Sequence, residues 1–217
     1  MSDLLSSSQP AHSLSGRRSF LKSGLALGPL ALLAGTQSAH AGPVAFLPSA
    51  KAVFRTIREH ENDHVDYLVA ALGGAARPKP TFTGLFQVSY TNFVNIAQAL
   101  ENTGVGAYLG AAPAINNPAI LAAAGSIMTI EARHAGAVNF FQGDPVTVAN
   151  ESFETAFTAD EVVAAAGGFI ANLNGGPPVT YSTTPSDSND IDILNFALAL
   201  EYLEAEFYNV NAKKHFA

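Results

Sequence analysis

Residues 61–64 read Glu-Asn-Asp-His and residues 131–134 read Glu-Ala-Arg-His, so a Glu-x-x-His unit occurs twice in the chain. Each unit lies in a stretch whose apolar residues recur every three or four positions, which is the period of an amphipathic helix. Residues three apart project from the same face of a helix, so each unit directs a carboxylate and an imidazole toward one point. In both stretches these polar residues occupy positions of the apolar face. The two units therefore predict two helices that bury side chains able to bind a metal ion.

Two further stretches bury a carboxylate in the same way and share a second repeat. Glu101 is followed seven residues later by a tyrosine, Tyr108, and Glu201 is followed at the same spacing by Tyr208. A leucine precedes each of these glutamates, so a Leu-Glu-x6-Tyr unit also occurs twice. Two copies of each unit predict a bundle with pseudo-twofold symmetry, in which both halves donate equally to one site. Each tyrosine is either an ordinary core aromatic or a hydrogen-bond donor to a metal ligand.

Residues that begin and end helices place these units in four long helices. Ser49 and Asn117 are favourable N-cap residues, and Pro118 suits the first position of a helix. Glycines at 73, 74 and 143 mark ends, as does Pro113. The long helices are predicted from Ser49 to Leu72, from about Thr91 to Ala112, from Asn117 to near Gly143, and from the polar cluster 186–189 to about Ala212.

The segment between the third and fourth long helices has a different character. Residues 158–161 read Thr-Ala-Asp-Glu, a capping box that predicts a short extra helix ending near Asn172. The glycines and prolines that follow indicate that residues 173–189 are a linker. Few runs show the alternation of a strand, so the predicted fold class is all-α, a four-helix bundle with one short extra helix.

The buried carboxylates predict a metal site. Burying an unpaired carboxylate costs several kcal/mol, so each needs a partner or a neutralising cation. Four glutamates and two histidines offer two carboxylate-bridged ions hard oxygen donors, one imidazole each and open positions. Glu204, three residues past Glu201, is an alternative ligand in its place, and a metal-free bundle whose buried Glu and His pair with each other is the competing interpretation. The predicted ligands are Glu61, His64, Glu101, Glu131, His134 and Glu201.

Residues 60–64 also match the His-Glu-x-x-His pattern of zinc proteases. In that interpretation His60 and His64 bind zinc and Glu61 is the general base. A pattern with three fixed positions recurs by chance, and it leaves the buried carboxylates of the other three helices unexplained. If Glu61 and His64 are instead ligands of a site inside the bundle, His60 is expected off the ligand face, as a solvated or rim residue.

The composition excludes several classes of protein. The chain has 217 residues, of which 48% are hydrophobic, and this is typical of a globular chain with a sizeable core. Lys and Arg number 11 against 18 Asp and Glu, a net charge of -7, which argues against nucleic acid as a partner because such binding depends on clustered basic residues. The absence of Cys excludes disulfides, thiolate metal sites and Cys nucleophiles. Any metal site must therefore use His, Asp or Glu.

The amino-terminal residues 1–41 are predicted to be an export signal. Arg17 and Arg18 precede an apolar run from Leu25 to Ala34, and Ala39-His40-Ala41 is typical of a cleavage site. The paired arginines are typical of twin-arginine export, which makes the Tat machinery a partner and predicts a periplasmic or secreted protein. A short membrane anchor is the alternative, but the run falls short of the ~20 residues that a span requires. Cleavage near Ala41 would leave residues 42–217 as the bundle, with 8 basic and 17 acidic residues.

Four stretches of the chain resemble the ferritin-like superfamily, most closely its exported desiccation-related branch. They read His-Glu-Asn-Asp-His-Val (60–65), Ala-Leu-Glu-Asn-Thr-Gly-Val-Gly-Ala-Tyr (99–108), Glu-Ala-Arg-His-Ala (131–135) and Leu-Glu-Tyr-Leu-Glu-Ala-Glu-Phe-Tyr (200–208). The resemblance implies a ferritin-like bundle that binds two Fe or Mn ions and reacts with O₂ or peroxide, as an oxidoreductase or a peroxide-detoxifying protein in oxidative or desiccation stress. A metal-free stress protein that acts through its surface or by assembly is the alternative. Homo-oligomer formation and the choice between Fe and Mn stay open.

The order of the helices departs from that resemblance. In the family the helix resembling residues 200–208 usually comes first, after the signal, whereas here it comes last. The domain is then circularly permuted, or its last helix completes a neighbouring subunit, or a second domain is truncated. A linker of 17 residues at ~3.3 Å each can cross a bundle, so we expect closure within one chain.

Overall fold

The computed structural model describes residues 49–217, which form a bundle of four long helices and confirm the predicted all-α class. The predicted export signal, with Arg17, Arg18 and the cleavage site near Ala41, lies outside the described residues. No helix between Ser49 and Ala217 has both the length and the apolar composition needed to cross a bilayer. The helices are α1 (Ala50–Leu72), α2 (Tyr90–Ala111), α3 (Pro118–Gln142), the short α4 (Ala159–Ala166) and α5 (Asp187–His215), and the strands are β1 (Thr81–Phe82) and β2 (Ile170–Asn172).

Side-chain caps set the ends of the long helices. The Ser49 hydroxyl accepts a hydrogen bond of 3.2 Å from the amide of Ala52, and the Asn117 side chain accepts one of 2.8 Å from the amide of Ala119. Gly143 ends α3 in the left-handed conformation, with φ 81°, which glycine adopts without steric cost. The first and third helices therefore begin and end where the sequence predicts.

The segment between α3 and α5 differs from the prediction in two respects. The short helix begins at the predicted capping box but ends at Ala166 rather than near Asn172, because Gly167 and Gly168 disfavour its continuation. Gly167–Phe169 then form a 3-10 turn, and Ile170–Asn172 pair as strand β2 with β1 in an antiparallel ladder. The linker predicted over 173–189 ends at Ser186, whose hydroxyl caps α5 by accepting a hydrogen bond from the amide of Asn189, and α5 continues to His215.

The long helices pack in two close pairs, α1 against α5 and α2 against α3. Helix α5 thus packs against α1 of the same chain, and closure of the bundle within one chain rather than with a neighbouring subunit stays a prediction. Buried apolar side chains form two clusters, one containing Phe54, Phe93 and Phe207, the other containing Leu68, Ile127 and Leu198. Along α1, Glu61 and His64 lie between the residues that belong to the first cluster and the residues that belong to the second. The polar layer therefore crosses the middle of the core.

The segment before α4 lies directly against α2 because two residues of α2 are glycine. The amide of Phe157 donates a hydrogen bond of 2.9 Å to the carbonyl of Gly106. A Cβ atom at Gly106 would come within 2.5 Å of the Phe157 ring, and one at Gly110 within 1.8 Å of the Phe157 carbonyl oxygen. Glycine at both positions is therefore required for this contact.

Candidate metal centre

The structure brings all six predicted ligands together in the polar layer of the bundle. The four carboxylates are fully buried, with exposed fractions of 0% for three of them and 1% for Glu201. The two imidazoles are also buried, at 9% for His64 and 5% for His134. Each long helix contributes to this layer, because its ligands interrupt an apolar face that packs into the core. The six ligands are Glu61 and His64 from α1, Glu101 from α2, Glu131 and His134 from α3, and Glu201 from α5.

These side chains form two overlapping groups, each able to surround one ion. The first group contains Glu101 and His134, and the second contains His64 and Glu201. Glu61 and Glu131 belong to both groups. Within each group the four ligand atoms lie within 4.8 Å of one another. This is the arrangement expected of two ions that share two bridging carboxylates and each have one further carboxylate and one imidazole.

The contacts around the imidazoles are those of ligands converging on a common point. Nδ1 of His64 lies 3.4 Å from Oε2 of Glu61, 3.0 Å from Oε1 of Glu131 and 3.2 Å from Oε2 of Glu201. A single N–H can point at only one of these oxygens. Nδ1 of His134 lies 2.9 Å from Oε1 of Glu61 and 3.3 Å from Oε2 of Glu101. Both nitrogens thus face several carboxylates at once.

Most of these close approaches lack hydrogen-bond geometry. Within the part of the chain that the structure describes, both carboxylate oxygens of Glu61 and of Glu131 have no hydrogen-bond partner, and neither has Nδ1 of His134. Fully buried polar atoms without partners carry a large desolvation penalty. A cation between the ligands would satisfy these atoms together. The donor set of carboxylate oxygens and imidazole nitrogens therefore fits transition-metal ions such as Fe or Mn.

The electrostatics of the cluster show that it retains protons when no cation is bound. Burial raises the pKa of Glu61 to about 7, although the nearby imidazoles act in the opposite direction. Burial and the charge of Glu61 raise the pKa of Glu131 well above its ordinary value. Burial alone would lower the pKa of each imidazole, but the surrounding carboxylates raise that of His64 to about 12 and that of His134 to about 11. A metal ion must therefore displace protons in order to bind.

The two repeated tyrosines each hydrogen-bond a ligand of the opposite helix. The hydroxyl of Tyr108 on α2 donates to Oε1 of Glu201 on α5, and the hydroxyl of Tyr208 on α5 donates to Oε1 of Glu101 on α2. Burial, together with the charge of the accepting glutamate, raises the pKa of both hydroxyls well above the usual value. The tyrosines therefore stay protonated and act as donors, and the crossed pair follows the pseudo-twofold symmetry of the ligands.

A fifth carboxyl, Glu204, lies beside the ligands but outside both groups. It is 4% exposed, and burial followed by the charge of Glu131 raises its pKa well above the ordinary value. Gly104 faces it from α2: a Cβ atom there would lie 3.3 Å from Oε2 of Glu131 and 3.4 Å from Oε1 of Glu204. The glycine thus leaves room for two carboxyl groups.

The contact made by His60 is not predicted by the sequence. It is half-buried, and its Nδ1 lies 2.9 Å from Nε2 of His134. The zinc-protease arrangement would require His60 to converge with His64, but among the described residues no candidate metal-binding group includes His60. The contact joins α1 to α3, so it depends on how these helices face each other. Apart from the imidazole itself, no feature of the sequence indicated it.

The chain matches the family described as a ferritin-like domain over residues 29–144 and 189–217. These two segments contain all six candidate ligands, and the segment between them contains α4 and β2. Neither a curated protein nor a solved structure matches the chain.

Proposed function

This chain belongs to the ferritin-like domain family, and we propose that it is a di-metal carboxylate protein that binds two Fe or Mn ions and reacts with O₂ or peroxide. The observation that carries the proposal is the sharing of Glu61 and Glu131 by two ligand groups, each completed by one further carboxylate and one imidazole. Ordinary buried ion pairs do not require one carboxylate to belong to two groups of ligands. Two metal ions bridged by carboxylates do require it.

The residues of the chain have distinct parts in this function. Glu101 and His134 would hold one ion, and His64 and Glu201 would hold the other. Bound Fe or Mn, alternating between the +2 and +3 states, would supply the electrons that reduce O₂ or peroxide. Tyr108 and Tyr208 fix the orientation of the two unshared carboxylates through their hydroxyl groups. The apolar clusters on both sides of the ligands exclude bulk water.

The proposal extends to where the protein works. Export through the Tat machinery is supported by Arg17-Arg18, by the apolar run and by Ala39-His40-Ala41. Tat systems export folded proteins, so metal could be loaded before export. The resemblance to desiccation-related proteins supports a role in oxidative or drying stress, as an oxidoreductase or a peroxide-detoxifying protein. The circularly permuted helix order also stays a prediction.

Metal content tests the proposal directly. The purified chain, stripped of metal and titrated with Fe(II) or Mn(II) without oxygen, should bind about two ions, one for each ligand group. Glu131→Ala should remove both ions, because this carboxylate belongs to both groups. Glu59→Ala is the matched control: Glu59 is an exposed carboxylate on α1 outside both groups, and its loss should leave two ions bound.

Two results would overturn the proposal. Absence of Fe(II) and Mn(II) binding by folded protein would favour a metal-free stress protein with the same bundle. Binding that survives Glu131→Ala would place the ions elsewhere. For the loaded protein, consumption of O₂ or peroxide followed with an electrode should be lost in the same variant.

A further inference from the structure

The contact between His60 and His134 determines which nitrogen of His134 can face a metal ion. Nδ1 of His60 and Nε2 of His134 are 2.9 Å apart, and the rings are stacked at 19° with centroids 5.1 Å apart. One of the two nitrogens must donate and the other accept. Nδ1 of His134 faces the carboxylates of Glu61 and Glu101. This nitrogen is therefore the one that lies in the ligand group.

A neutral imidazole carries its proton on only one nitrogen. If Nδ1 of His134 is to present a lone pair to an ion, the proton must lie on Nε2. The acceptor placed 2.9 Å from Nε2 is Nδ1 of His60. A hydrogen bond from Nε2–H to His60 thus selects the tautomer that can bind metal, and it also fixes the plane of the ring.

The other half of the site has no equivalent contact. His60 immediately precedes Glu61, and the corresponding residue before Glu131 is Ile130, which is also half-buried. An isoleucine side chain cannot accept a hydrogen bond. Among the described residues, Nε2 of His64 has no hydrogen-bond partner, and the His64 side chain is 11% exposed. The ligands follow the pseudo-twofold symmetry. The hydrogen bond to Nε2 of the imidazole does not, because in the described part of the chain His134 has one and His64 lacks it.

We propose that His60 is a positioning residue that makes the two metal positions unequal, by holding His134 in its metal-binding tautomer while His64 has no such support. The inference rests on the proposed di-metal function. The position containing Glu101 and His134 is the better organised one before any ion arrives. It therefore fills first and binds more tightly, since less ordering remains to be done on binding.

Two variants at residue 60 separate the effect of the hydrogen bond from that of the ring. His60→Phe keeps a ring to stack on His134 but removes the acceptor. His60→Asn removes the ring but places an amide oxygen near the position of Nδ1. Glu59→Gln, a neighbouring exposed change, is the control. Each variant would be titrated with Mn(II) by calorimetry, after thermal unfolding has shown that it folds.

Wild-type protein should bind two Mn(II) ions in two steps of different affinity. His60→Phe should weaken the tighter step by about 10- to 100-fold, the usual effect of losing the partner of a ligating histidine, and leave the weaker step unchanged. His60→Asn should restore most of the lost affinity, and Glu59→Gln should have no effect. His134→Ala, which removes the imidazole, should abolish the same step and so identify it.

A measurement without metal tests the contact itself. In ¹⁵N-labelled metal-free protein, coupling between Nε2 of His134 and Nδ1 of His60 should be visible across the hydrogen bond and absent in His60→Phe. Unchanged Mn(II) affinities in His60→Phe, or an Asn variant that behaves like the Phe variant, would refute the positioning role. If wild-type protein binds no Mn(II) or Fe(II), the proposed function fails instead, whatever the nitrogen coupling shows.

Discussion

The crossed tyrosines explain why Leu-Glu-x6-Tyr occurs twice. Each hydroxyl lies two helical turns from the glutamate of its own unit, but it donates to the glutamate of the other unit. The repeat therefore describes two helices that complete each other, and each tyrosine contributes to the half of the site that its own helix does not supply.

Replacing Tyr108 by Phe tests this hydrogen bond. Without the hydroxyl, Oε1 of the fully buried Glu201 loses its donor, and an unsatisfied buried group costs about 1–3 kcal/mol. We expect the free energy of unfolding of the metal-free variant, measured with urea, to fall by about that amount. Tyr67→Phe is the control, because Tyr67 is 50% exposed and its replacement should change stability by less than about 0.5 kcal/mol. Equal effects of the two substitutions would contradict the argument.

Replacing Gly104 should affect helix stability and metal affinity in opposite directions. Replacing a helical glycine by alanine stabilises a helix by up to about 1 kcal/mol. At Gly104 the new methyl group would crowd Glu131 and Glu204, so Gly104→Ala should lower Mn(II) affinity by about tenfold or more without destabilising the metal-free protein. Gly125 on α3 has no atoms near its added methyl group, so Gly125→Ala should leave metal binding intact. Titration of both variants gives the comparison, and normal binding by Gly104→Ala would be the contrary result.

All six candidate ligands could be predicted from the sequence, because a polar side chain on an apolar helical face is visible in the periodicity alone. Each of the six ligands interrupts such a face. His60 could not be recognised in this way, since it lies beside the face and acquires its role only from the rotation of α1 relative to α3. Which glutamate each tyrosine donates to also depends on which helices are neighbours.

The ends of the helices were more predictable than the segment between α3 and α5. The ends depend on local chemistry, such as the hydroxyl of Ser49 or the left-handed conformation of Gly143. Strands β1 and β2 have only two and three residues, too few for any alternation, and they form because the chain brings them together. Their pairing could not be predicted from sequence periodicity.

The docking of this segment on α2 can be tested by replacing Gly110, which lies against Phe157. At Gly110 an added Cβ atom would lie 1.8 Å from the carbonyl oxygen of Phe157, so backbone must move to admit it. Gly110→Ala should therefore destabilise the protein by about 1–3 kcal/mol, despite the better helix propensity of alanine. Gly125→Ala is again the matched control and should be neutral or stabilising. Urea unfolding measures both, and a stabilised Gly110→Ala variant would show that Phe157 does not rest on α2.

The position of the candidate ligand layer would link metal binding to the stability of the entire bundle. All four long helices supply candidate ligands, and apolar clusters lie on both sides of the layer. An ion bound only by the folded protein stabilises it by about 2.7 kcal/mol when free ion is present at a hundred times its dissociation constant. Each occupied ligand group should therefore raise the melting temperature.

Loss of a shared carboxylate should reduce the metal-induced rise in melting temperature more than loss of an unshared one. With saturating Mn(II), wild-type protein should show the largest rise in melting temperature relative to the chelator-treated form. Glu101→Ala should retain part of the rise, because the group containing His64 and Glu201 is complete without it. In Glu61→Ala the rise should be absent, because Glu61 belongs to both groups. Scanning calorimetry with and without chelator checks this order, and a larger rise for Glu61→Ala than for Glu101→Ala would be incompatible with sharing.

The pairing of α1 with α5 also has a consequence for the order of events during protein synthesis. Helix α1 ends at Leu72 and its close packing partner begins at Asp187, so translation delivers them more than a hundred residues apart. Until α5 emerges, a nascent chain contains three of the four candidate carboxylate ligands. It lacks the carboxylate of Glu201 and the Tyr208 hydroxyl that donates to Glu101. Contacts between such distant segments form late and slowly. Until α5 has been synthesised, the growing chain therefore cannot complete the candidate group that contains Glu201.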